Sequence, residues 1–154
     1  MIKSWLMALS LLITLLPWQA HALLTIEITG GSEAALPIAV VPFGNEGFAA
    51  PEDISEVIRN DLASSGRFAP LPKGDLISSP HDKSEINFKD WRLLRSEGLL
   101  VGKVSSVDGE TYQVQFQLFD VYKSQQLIGK RYQVPASGLR RLAHQISDLI
   151  YQTL

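Results

Sequence analysis

The segment Leu36–Leu71 reads LPIAVVPFGNEGFAAPEDISEVIRNDLASSGRFAPL, and within it Ile38–Phe43 is apolar at nearly every position. That run is too continuous for a strand with one wet face and too short for a helix, so it predicts a buried strand. A Gly- and Pro-punctuated loop follows, and then a helix. Pro51 suits the first helical position, and Glu52 and Asp53 place negative charge at the positive end of the dipole. Ile54, Val57, Ile58 and Leu62 fall on one apolar stripe. Gly66 stands where a left-handed cap is needed, with Phe68 beyond it to fold back on the last turn. Strand, loop, helix and second strand form a seed for the remaining elements.

Leu24–Ile28 is apolar at alternate positions and is followed by Gly30-Gly31. This predicts a half-buried strand, tethered so that it can leave its place and pair elsewhere. Pro72–Asn87 reads as a surface loop of a length at which loops become mobile or functional. Asn87 caps a predicted helix Phe88–Glu97, with Trp91 and Leu94 on one side and Gly98 at its end. A strand over Leu99–Val107 leads to Asp108-Gly109, a two-residue hairpin signal.

On the return strand Tyr112, Val114, Phe116 and Leu118 point one way and Gln113, Gln115 and Gln117 the other. After a turn at Lys123–Gln126, a strand over Gln126–Val134 closes a meander. The glutamines predict one wet face, with helices on the other. Ser137–Leu154 carries a broad helical stripe of Leu139, Leu142, Ala143, Ile146, Leu149, Ile150 and Leu154, started by Ser137 or Gly138. Burying such side chains is worth about 1.5–3 kcal/mol each before chain entropy. The order β-β-α-β-α-β-β-β-α predicts an α/β (α+β) two-layer sandwich, a mixed sheet with helices on one face.

The first residues follow a different logic. Lys3, the eleven-residue stretch Leu6–Leu16, Pro17 and Ala20-His21-Ala22 have the order of a secretory signal, residues 1–22, cut between Ala22 and Leu23. The apolar stretch is shorter than the roughly 20 residues of a membrane span. With no cysteine anywhere, neither a lipid anchor at the cleavage point nor a disulfide is available, and a hydrophobic core must hold the domain together. Residues 23–154 are one domain's worth of chain. Losing Lys3 takes the formal charge from −2 to −3, which argues against nucleic acid as a partner. No repeat of solenoid or propeller period is present. The expectation is a soluble exported protein with no direct membrane anchor.

The chemistry is sparse. His144 has Asp148 four residues on, and Arg140 and Arg141 lie one turn before it. Ser147 completes the residue types of a triad, but the sequence offers no oxyanion donors. Arg141, His144 and Asp148 therefore read as a polar helix edge that ties down a neighbouring loop or domain. His81-Asp82 lacks a second ligand at metal spacing. Gly-rich phosphate loops and metalloprotease motifs are absent. The reading is non-enzymatic, with no catalytic, metal or cofactor residue.

Taken together, the signal, PIAVVPF, APEDISEVIRNDLASSGRFAPL, the Trp91 helix before LLVGKV, VQFQLFDV and RRLAHQISDLIY resemble the N-terminal domain of the TolB family of the Tol–Pal envelope system. The resemblance runs through residues 23–154 in order. It implies an anticodon-binding-like α/β domain over residues 36–154, preceded by a segment and linker over residues 23–35. It further implies periplasmic localisation and a role in outer-membrane integrity and invagination during cell division. In the family the N-terminal segment binds TolA and alternates between docked and released states. By resemblance that role falls on Leu23, Leu24, Thr25, Ile26, Glu27, Ile28, Thr29, Gly30 and Gly31. Family members continue into a six-bladed β-propeller that carries the binding site for Pal and colicins. This sequence stops at Leu154, so those partners are expected only where the propeller is present. The edge at His144 and Asp148 is then a candidate interdomain contact. A second resemblance, to the curli-secretion channel and to activators of cell-wall synthases, implies a stand-alone envelope assembly protein. The lack of a lipobox cysteine argues against it.

Overall fold

The structure, a computed structural model, describes residues 34–45 and 47–154. The expected cleavage site at Ala22 and Leu23 and the expected strand Leu24–Ile28 lie outside them. The described elements are β1 (Leu36–Val40), β2 (Gly44–Asn45), α1 (Ile54–Ser64), β3 (Phe68–Pro70), α2 (Phe88–Leu93), β4 (Gly98–Ser106), β5 (Thr111–Asp120), β6 (Gln125–Pro135) and α3 (Leu139–Thr153).

They build a mixed sheet in the order β3-β1-β4-β5-β6, with β2 also paired to β4. β1 runs parallel to both its neighbours, with Leu36 opposite Phe68 and Ile38 opposite Gly98. From β4 onward the pairing is antiparallel. This α/β mixed-sheet arrangement is the expected one. Ile38 and Val40 enter a core with Leu100, Val114, Phe116 and Leu118, roofed by Ile58 and Leu62 of α1 and by Leu142, Ile146 and Ile150 of α3.

The opposite face is less open than the glutamines suggest. Ala39, Val41, Leu99, Val101, Phe119 and Val121 form a second core around the fully buried Trp91 of α2. The face is wet only toward β5 and β6, where Gln113, Gln115 and Gln117 are half-buried. The unbroken apolar run of β1 thus has a cause: successive side chains enter two different cores.

Several details differ from the sequence expectation. α1 starts at Ile54 rather than near Pro51, because the Asp53 carboxylate accepts the Glu56 N–H at 3.1 Å and acts as the cap. Gly66 is left-handed as expected, with φ +70°. α2 stops at Leu93, where Arg95 turns left-handed (φ 56°) and the Ser96 N–H reaches Trp91 O. Gly98 instead opens β4, where a Cβ would lie 3.1 Å from both Ile38 and Leu154. The Asp108-Gly109 hairpin spans 107–110, four residues rather than two. Asp108 Oδ1 accepts the Glu110 and Thr111 N–H groups, and Val107 N–H bonds Thr111 O. Finally, segment 72–87 holds two short 3₁₀ turns, Lys73–Asp75 and Lys83–Glu85, and lays the His81 ring against Gly44 of β2.

Candidate functional site

The polar residues that the sequence gathers on its last helix meet the second long helix. α1 and α3 lie side by side and point the same way, since their cross-ties advance together along both. Glu52, just ahead of α1, holds Arg140 through two bonds of 3.1 and 3.3 Å. Midway, Asp61 Oδ2 lies 2.8 Å from His144 Nδ1 and accepts the Ser147 hydroxyl at 2.8 Å. At the far end Arg67 donates to Tyr151 O at 3.1 Å, with its guanidinium 4.8 Å over the Tyr151 ring. Between these ties lies a groove of about 220 Å³, lined on one side by Asn60 and three acids beyond Asp61 and on the other by Arg140 and His144.

His144 is therefore held by Asp61 of α1, not by Asp148. Asp148 is a neighbour on the same helix, one turn on, but it is exposed and makes no bond, whereas α1 presents Asp61 directly across the groove. Arg141 and Asp148 are exposed and form no hydrogen bond or ion pair among the described residues. Ser147 and His144 share one carboxylate oxygen rather than bonding each other, so the geometry holds no nucleophile–base pair. Asp61 was the residue missed. Its signal is present: it sits three residues after Ile58 and four after Val57, a charged side chain at the margin of the apolar stripe.

A second cluster fixes the start of α1. Arg59 donates to Val40 O at 2.5 Å and also to Leu71 O, joining the end of β1 to the chain leaving β3. Burial pushes its guanidinium below the ordinary value, against the pull of Glu56 and Asp53. Lys73 reaches Glu56 at 2.7 Å and Asp53 at 3.6 Å. Its ammonium is raised above the ordinary value chiefly by the bond to Glu56. For Asp53, burial pushes upward but is outweighed by the bonds from Ser55 and the Glu56 N–H and by Lys73, so its carboxyl titrates below the usual range.

A mixed sheet with two co-directional helices stapled across one face defines a mixed-sheet α/β domain. That fold recurs in the LpoB C-terminal domain from Salmonella enterica (TM-score 0.51, 17% identity, 66% of this chain and 83% of that one). The crystal structure of TolB from Acinetobacter baumannii is more alike, with a TM-score of 0.65 and 32% identity over 77% of this chain and 28% of that one. Residues 24–127 match the TolB amino-terminal domain. The Tol-Pal system protein TolB of Nitrosococcus oceani is 62% identical over 148 residues, 93% of this chain and 34% of the relative. That of Methylobacillus flagellatus is 41% identical over 137 residues, 88% of this chain and 32% of the relative.

The chain belongs to the TolB amino-terminal domain family. It spans about a third of the length of the curated relatives it matches. Among the described residues no helix is long and apolar enough to cross a membrane.

Proposed function

We propose that this chain is a non-catalytic, periplasmic interaction module of the Tol–Pal system, exported by residues 1–22, in which Leu23–Gly31 captures TolA. The observation that carries the reading is where the family match begins: at residue 24, on the alternating segment Leu24–Ile28 rather than on the first strand of the body. A short alternating segment followed by two glycines suits capture by strand addition, because main-chain pairing supplies affinity and the glycines supply reach. Arg141, His144 and Asp148 are proposed as a contact with a further domain, Arg141 and Asp148 having no other partner among the described residues. Pal and colicins engage the family's propeller, so residues 23–154 alone bind Pal weakly or not at all.

Calorimetric titration of residues 23–154 and of a version lacking Leu23–Gly31 with TolA tests the assignment. The shorter chain is expected to keep its circular dichroism spectrum and to lose the binding heat. Unchanged affinity after the deletion removes Leu23–Gly31 from the role, and tight Pal binding by either version removes the partition between domain and propeller.

A further inference from the structure

Among the described residues β6 is the longest strand, it stands at the opposite edge of the sheet from β3, and β5 is its only neighbour. Its far edge therefore presents the N–H and C=O of every second residue without a strand partner. Ile128, Lys130 and Tyr132 lie opposite Leu118, Phe116 and Val114, on the face covered by α3. Ile128 and Tyr132 are half-buried there, and the Tyr132 ring stacks on Phe116 at 6.3 Å. Gly129 and Arg131 lie opposite Gln117 and Gln115 on the wet face.

The charge along this edge has one sign. Lys130 and Arg131 are exposed, and neither meets a carboxylate among the described residues; Arg131 donates only to Gln115 Oε1, at 3.0 Å. Lys103 extends the row across the sheet, since it too lies opposite Gln115. Lys130 is the central residue of Gln125–Pro135. A second copy pairing in register would set Lys130 against Lys130, a repulsive cross-strand pair. Beside Gly129 a hollow of about 300 Å³ opens between Gln115, Gln117 and Gln126. Gln117 Oε1 is buried there with no hydrogen-bond donor.

We propose that the outer edge of β6 is a docking edge for an extended acidic segment of a partner protein. The segment pairs main chain to main chain, with carboxylates opposite Lys130 and Arg131 and apolar residues opposite Ile128 and Tyr132. Positive charge at the centre rejects another copy of this chain and selects an acidic strand. The flexible Gln126 amide lies over Gly129, and as it swings aside a hydroxyl side chain of the segment can donate to Gln117. For an antiparallel strand the pattern, read from its N-terminus, is apolar, acidic, acidic, hydroxyl, apolar. This edge is independent of the TolA reading, which concerns residues 23–31.

The test is fluorescence anisotropy of the whole chain with a labelled peptide TVDDTVT, its counterpart TVKKTVT, and TVDDTVT N-methylated on the alternate amides that face β6. The acidic peptide is expected to bind at least about tenfold more tightly than either of the others. It should also slow hydrogen exchange at alternate amides of residues 125–135. In Lys130→Glu/Arg131→Glu, checked for folding by circular dichroism, the preference inverts toward TVKKTVT. Equal binding of the three peptides, protection outside β6, or self-association that competes with the peptide overturns the proposal. Should the double variant fail to fold, the N-methylated peptide on the unaltered chain still decides it.

Discussion

Replacing Asp61 with alanine removes one carboxylate and two bonds at once, and the expected size of the loss follows from exposure. A hydrogen bond to a charged group is worth about 1.5–3 kcal/mol when buried. The His144 side chain is 51% exposed and that of Asp61 31%, so this pair falls into the surface range of about 0.2–1 kcal/mol. Ser147, only 6% exposed, supplies the larger share. Its hydroxyl is not orphaned, however, because Ala143 O lies 3.1 Å away and takes the proton. Asp61→Ala is therefore expected to cost about 1–2 kcal/mol, seen as a fall of roughly 3–6 °C in Tm by calorimetry. Asp61→Asn keeps one acceptor oxygen and should lose about half. The sharper assay is the cycle of Asp61→Ala, Ser147→Ala and the double variant, with a coupling of about 1 kcal/mol expected. Additivity within about 0.3–0.5 kcal/mol would refute the reasoning that this carboxylate joins the two helices.

Two further perturbations probe the frame. A Cβ on Gly102 would lie 2.7 Å from the Gln115 carbonyl oxygen and 2.8 Å from the Phe43 ring. Gly102→Ala should therefore destabilise by about 1–3 kcal/mol in urea titration, and an unchanged midpoint would show that both Phe43 and the β5 backbone at Gln115 give way freely. Asp53, Asp108 and Asp120 all titrate below the ordinary 3.8 in the folded state. A depressed carboxyl contributes stability above its unfolded value and loses it as pH falls through the folded one, so Tm should drop below about pH 4. Asp53→Asn, which keeps an acceptor for the Glu56 N–H, should make that drop shallower.

Most of the fold was legible because the chain punctuates itself. Asp53, Gly66, Asn87 and Gly109 act at or beside the positions where their chemistry is used, and the alternation from Tyr112 to Leu118 matches the observed faces. What was hidden depends on contacts distant in sequence. Nothing near Trp91 announces that a six-residue helix covers a second face, because its partners Ala39, Leu99 and Phe119 lie on three separate strands. Asp148 is the nearer carboxylate to His144 along the chain, but helix packing supplies Asp61, 83 positions away. The glutamines of β5 report their own environment faithfully and say nothing of the buried end of the same face.

The placement of β1 constrains how the chain matures. The first strand of the body is a central one, and its register with β4 joins Ile38 to Gly98. As the ribosome extends the chain at about 5–20 residues per second, the apolar run Ile38–Val41 emerges well before the strand that will cover it. β1, α1 and β3 are all made before β4, so one side of β1 has no strand to pair with until β4 has been made. A polypeptide with this topology spends several seconds of its synthesis displaying a sticky, unpaired edge. The wait follows from strand order alone.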